Sequence, residues 1–255
     1  MSPAQDTTVV RSHRSAEPER TLVCLGFCGG GAGAYHPWGP VLPPHVDLVT
    51  ICYPGRDGRF LEDYVQNWDE LAADATAAVS SAGEEGPYVL FGHSMGGWMA
   101  FEVAARIERQ GGPRPQTLVV SSANAPSRGL TPQDMFPNMQ DTDEQLLGWM
   151  RAHGLMPAHV LDDPDLQEMA IELMRADIRV RDTFAYADGT MVSIPLQVLT
   201  GDEDSVIEPD TGEQWQRLAT AGYRHDVLPG GHFYTPAVWQ RLPEFIPSLT
   251  DDAGR

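Results

Sequence analysis

Between residues 88 and 110 the chain passes from an apolar strand, through a glycine-flanked serine, into a helix. Tyr88-Val89-Leu90-Phe91 runs straight into Gly92-His93-Ser94-Met95-Gly96-Gly97, and a helical pattern holds from Gly97 to Gln110. Gly-x-Ser-x-Gly is common in isolation, but between a strand and a helix it demands one backbone geometry. The serine sits on a strained turn, and side chains two residues before or after it would collide with strand or helix. That turn lifts the hydroxyl clear of the sheet and aims it near the positive end of the helix. Ser94 is therefore the candidate nucleophile.

The rest of the chain supplies a sheet to hold such a turn. Short runs rich in Val and Leu, bounded by Gly or Pro, read as strands buried on both faces at 22–25, 46–51, 88–91, 117–121, 196–200 and 225–228. Helical periodicity lies between them, with Trp68, Leu71, Ala72, Ala75 and Val79 on one face of a helix over 68–81. Alternation at this spacing predicts an α/β fold, a mostly parallel sheet with helices on both faces. One stretch breaks it. From about 126 to 190 no strand is legible, only helices over 142–153 and 163–186, the second opening Asp163-Pro164-Asp165 as a helix N-terminus does. This reads as an inserted helical lid, its methionines suited to an adaptable apolar wall. The expected organisation is a polar, mobile tail over 1–20, one domain over 21–249, and a short tail over 250–255.

Composition narrows the partners. A net charge of −19 argues against nucleic acid or an anionic membrane surface. No apolar run approaches the roughly 20 residues that cross a bilayer, and the first twenty residues lack a signal-peptide core, so a cytoplasmic location is expected. All 17 basic residues are arginine. Cys24, Cys28 and Cys52 are too few for a disulfide framework and lack the paired spacing of a zinc site. Cys24 and Cys52 read as small core residues, and no metal or cofactor is called for.

A serine hydroxyl needs a base, and chain order locates one. Of eight histidines, His13, His36 and His45 precede the serine, His93 adjoins it with its side chain turned away, His153 and His159 lie in the lid, and His225 falls in a strand. His232, in Pro229-Gly230-Gly231-His232-Phe233 after the last strand, is the candidate base. The acid belongs between serine and histidine, at the end of a strand. Gly201-Asp202-Glu203-Asp204 offers three carboxylates; Asp204 is the preferred acid, and Asp202 suits a turn-shaping role through backbone N–H groups. An oxyanion would be held by the amide of Met95 and by one from the loop Phe27-Cys28-Gly29-Gly30-Gly31-Ala32-Gly33, Cys28 being the candidate. A nucleotide-binding reading of that loop fails for want of Lys-Ser/Thr and of a ribose-binding acid. Cys28 has no second base beside it, which favours a wall residue over a reactive thiol.

With these segments in view, the chain resembles the type II thioesterases that accompany polyketide and non-ribosomal peptide synthetases, within the α/β-hydrolase superfamily. The likeness runs from about Leu22 to Leu249. It rests on the serine motif, on Tyr35-His36-Pro37-Trp38, on Tyr53-Pro54-Gly55-Arg56, on Phe101-Glu102-Val103-Ala104, and on the segments carrying Asp204 and His232. The resemblance implies a Ser94–His232–Asp204 triad and an acyl group delivered on a phosphopantetheine arm by an acyl or peptidyl carrier protein. It implies thioester hydrolysis that clears stalled or wrongly loaded groups. One departure stands out: the family usually has Phe-Pro-x-Ala-Gly-Gly where this chain has Leu25-Gly26-Phe27-Cys28-Gly29-Gly30, and loss of the proline is expected to free the loop.

Two rivals keep part of this reading. A carboxylesterase, lipase or acyltransferase would use the same triad on another substrate, and a carrier-binding accessory would not use it at all. Carrier proteins tend to be acidic, as this chain is, so docking needs local arginines. Arg56, Arg59, Arg175, Arg179 and Arg181 are the candidates.

Overall fold

The computed structural model describes residues 7–156 and 158–250. Seven strands form one sheet: β1 (Val9–His13), β2 (Arg20–Leu25), β3 (Val46–Ile51), β4 (Tyr88–His93), β5 (Thr117–Ser121), β6 (Leu196–Gly201) and β7 (Tyr223–Leu228). Their spatial order is β1-β3-β2-β4-β5-β6-β7, all parallel except β1, which pairs antiparallel with β3. The helices are α1 (Trp68–Glu84), α2 (Met95–Gln110), α3 (Asp143–Ala152), α4 (Ala158–Leu161), α5 (Pro164–Arg181), α6 (Thr211–Gln216) and α7 (Pro236–Gln240).

Strand alternation divides the core in two. Val23, Leu25, Val49, Leu90, Leu118, Val120 and Val198 face one side, where α1, α2 and the segment between β5 and β6 cover them. Leu22, Cys24, Leu48, Val89, Phe91, Val119 and Leu199 face the other. Tyr35 and Trp38 of the 3-10 segment Ala32–Val41 cover that side, together with Leu242, Ile246 and Leu249 near the C-terminus. Cys24 and Cys52 are fully buried small residues of this interior.

Helix ends follow local chemistry. Asn67 caps α1 by accepting from the Glu70 amide, and Thr142 and Gln145 form a reciprocal capping box on α3. Asp163 caps α5 ahead of Pro164, and Gly111 ends α2 in the left-handed conformation at φ 69°.

Two expectations are corrected. Residues 1–20 are not all tail: Val9–His13 is an edge strand, with Val9 opposite Ile51 and Arg11 opposite Val49. It has only two apolar residues and is half-buried throughout, so its apolar pattern is faint; what orders it is the open edge of β3. Residues 1–6 of that tail and 251–255 of the other lie outside the described residues. The helix expected over 163–186 stops at Arg181 rather than Tyr186. Thr183 turns its hydroxyl back onto the Val180 carbonyl while accepting the Trp68 amide, which ends the helix against α1.

Candidate active site

Three chain segments meet at the carboxyl ends of β4, β6 and β7. Ser94 caps α2 with φ 55° and ψ −125°, a conformation disfavoured for a side-chain-bearing residue, and its amide donates to Ser121 O at 2.8 Å. The flanking glycines are obligatory for steric reasons. A Cβ on Gly92 would stand 1.8 Å from Gly96 O, and one on Gly96 would stand 2.6 Å from Gly26 O.

The structure brings Ser94, His232 and Asp204 together. His232 Nε2 lies 3.0 Å from Ser94 Oγ, and His232 Nδ1 lies 2.9 Å from Asp204 Oδ2. Asp204 is the buried carboxylate of the three, and its Oδ1 accepts the Val206 amide at 3.0 Å. Asp202 does what the sequence reading assigns to it: its Oδ1 accepts the Gly230 amide at 2.7 Å, tying the turn after β6 to the loop that carries His232. Glu203 and Gly230 reinforce this through a backbone bond of 2.9 Å.

The oxyanion candidates adjoin this group. Cys28, Met95 and Ser94 line one cavity of about 350 Å³ together with Trp98, Trp149, Arg181 and His232. Among the described residues, neither the Cys28 nor the Met95 amide has a backbone or side-chain acceptor. The Cys28 residue is buried, and burial pushes its thiol pKa up to about 12, so it stays protonated at neutral pH. The reactive-thiol alternative for Cys28 loses its support. Gly26 does not leave the loop free, either. Tyr35 Oη donates to Leu25 O at 2.7 Å, and a Cβ on Gly26 would press on Gly30 O and Tyr53 at 3.3 Å. A second cavity of about 1180 Å³ adjoins the first at Phe27, His153, Gly231, His232 and Phe233. It is walled by Tyr64, Leu166, Met169 and Leu173, the last three from α5.

Several arginines assigned to docking are structural instead. Arg56 is buried against Asp177 of α5, Arg59 against Glu62 and Asp74, and Arg181 against Asp182 and the Pro137 carbonyl. Arg175 spends its guanidinium on the Met139 and Asp141 carbonyls and on Asp143. Arg179 is exposed.

Sequence reasoning missed a buried polar chain behind the base. His93 Nδ1 lies 2.9 Å from Ser121 Oγ, which lies 2.7 Å from Tyr234 Oη, two residues past His232. Burial, and after it the nearby His232, holds His93 well below the ordinary imidazole pKa, so it is neutral. Its only sequence signal was Ser121 ending the Leu118-Val119-Val120 run of β5. Among the described residues no cluster of three His, Cys, Asp or Glu side chains is arranged to hold a metal, and no helix is long and apolar enough to cross a membrane.

Known proteins share this architecture. A family model described as the thioesterase domain matches residues 20–251. The chain is 33% identical over 219 residues to AMB antimetabolite synthetase AmbE of Pseudomonas aeruginosa, covering 86% of this chain and only 10% of that protein. It is 29% identical over 232 residues to thioesterase PikA5 of Streptomyces venezuelae, covering 91% of this chain and 81% of the relative. The solved structure of the type II thioesterase BorB from the borrelidin biosynthetic cluster superposes with a TM-score of 0.83 at 31% identity, covering 97% of this chain and 99% of that one.

Proposed function

We propose, from the premise that the chain belongs to the thioesterase-domain family, that it hydrolyses acyl thioesters carried on the phosphopantetheine arms of acyl or peptidyl carrier proteins in polyketide or non-ribosomal peptide synthesis. Its role there is to remove aberrant or stalled acyl groups. The observation that carries this reading is a serine–histidine–carboxylate line with 3.0 and 2.9 Å contacts where two cavities join.

In this mechanism Ser94 Oγ attacks the thioester carbonyl as its proton passes to His232 Nε2. Asp204 holds the imidazole with Nδ1–H directed at its carboxylate and stabilises the imidazolium that forms. The Met95 and Cys28 amides take the oxyanion, aided by the N-terminal end of α2. The C–S bond breaks and the thiol leaves with the proton from His232. Water then attacks the acyl-enzyme with His232 as base, releasing the acid and Ser94. The acyl group occupies the 350 Å³ cavity, and the pantetheine arm enters through the 1180 Å³ cavity beneath the inserted helices, which serve as a lid. Carrier docking falls to exposed cations, Arg179 of α5 being the candidate left from the sequence reading.

The test is mass spectrometry of a panel of acyl-carrier proteins after incubation with the wild type and with Ser94→Ala. Unloaded carrier with the wild type alone supports the reading. Aryl esters cleaved much faster than carrier thioesters of equal chain length would favour a carboxylesterase.

A further inference from the structure

The loop that bears the Cys28 amide is held by side chains from outside the sheet. Gly30 N–H donates to Phe27 O at 2.8 Å, closing a four-residue turn with Cys28 and Gly29 at its centre. Gly29 has φ 73°, as the third position of a type II turn requires. Such a turn interconverts with type I by a flip of its central peptide, the one that carries the Gly29 N–H. That N–H donates to Asp177 Oδ2 of α5 at 2.8 Å. The same carboxylate receives Arg56 Nη1 at 2.8 Å and Nη2 at 2.5 Å, while Arg56 Nη1 also donates to Gly30 O at 2.9 Å. One ion pair therefore grips the N–H of Gly29 and the carbonyl of Gly30. The helix packs directly on the loop as well, since a Cβ on Gly29 would meet Met174 Cε at 2.5 Å.

Stability does not explain why charge is used here. Both side chains are buried, at 7% and 3% exposure, and an apolar pair of similar volume in such a place is often as stable or more so. A carboxylate and a guanidinium do what an apolar pair does not: they accept and donate at fixed points on the turn. We infer that Arg56 and Asp177 are positioning residues for the oxyanion site, locking the turn that presents the Cys28 amide and coupling it to α5. The inference rests on the reading of that amide as an oxyanion donor.

The experiment compares Asp177→Asn and the double variant Arg56→Met/Asp177→Leu with the wild-type full chain. Each is assayed for steady-state hydrolysis of an acyl-carrier thioester, for the rate at which a fluorophosphonate labels Ser94, and for melting temperature. The double variant removes both charges together, so no lone buried charge is left. It should keep its melting temperature near wild type and its KM within about threefold. Its kcat and labelling rate should fall about 10²-fold, close to the loss of one oxyanion donor. Asp177→Asn, which keeps an acceptor for Gly29, should lose roughly tenfold by the same scale. A folded double variant with kcat within about threefold of wild type overturns the inference. Should the double variant not fold, Asp177→Asn decides alone, and a kcat unchanged within twofold overturns it. A wild type that neither hydrolyses the thioester nor labels at Ser94 removes the reading of the site itself, and this inference with it.

Discussion

Replacing Asp204 by asparagine changes one oxygen to an NH2 group, and the contacts around it dictate the consequence. Asp204 uses Oδ2 for His232 Nδ1 and Oδ1 for the Val206 amide. Both neighbours are donors in the resting state, and the carboxylate accepts from both. Asparagine has a single oxygen. If that oxygen stays on Val206 N–H, the NH2 group faces His232 and selects the tautomer protonated on Nε2, which no longer accepts the Ser94 proton. If the amide flips, His232 keeps its tautomer, but NH2 opposes the Val206 N–H in a buried site where an unpaired donor costs about 1 to 3 kcal/mol. The first arrangement avoids that cost and is the one expected. Loss of the correct tautomer and of the imidazolium's counter-charge lowers kcat in serine hydrolases on the order of 10⁴-fold, about 5.5 kcal/mol of barrier. Thiol release from an acyl-carrier thioester under saturating substrate measures it, with KM expected to change little. A loss smaller than tenfold in a folded variant would refute Asp204 as the partner of the base and return attention to Asp202.

Two further perturbations test the frame around the triad. A methyl group at Gly92 would stand 1.8 Å from a backbone oxygen of the elbow, so Gly92→Ala should cost more than about 3 kcal/mol or give no folded protein, as thermal melting would report; a near-normal melting point contradicts the elbow geometry. His93 is buried and neutral in the folded chain but free to protonate near pH 6.5 when unfolded. The unfolded state then binds the extra proton, so stability should fall as pH drops below about 6.5, by up to about 1.4 kcal/mol per pH unit. His225, lowered chiefly by burial, adds in the same direction. Denaturant titrations between pH 7 and 5 should show a shallower slope for His93→Gln, and an unchanged slope would mean His93 carries no such linkage.

Local chemistry was enough for much of this molecule. The strand runs, the elbow glycines and the order of serine, acid and histidine are contiguous patterns, and they carried the α/β fold and the three residues now found within hydrogen-bonding reach. Asp202 too was legible, because a carboxylate two residues into a turn has few partners but backbone amides. Tertiary structure decided what no local pattern encodes. β1 is placed by pairing with the free edge of β3, a partner that lies about 40 residues further along the chain. Arg56 read as a surface cation because arginine usually is one. It is buried because Asp177, 121 residues away, accepts from both of its terminal guanidinium nitrogens and balances its charge. The same holds for Cys28, whose thiol is kept protonated by burial among parts of the chain far from it in sequence. Pairings across the fold set burial, and burial set which charges face the solvent and which brace the site.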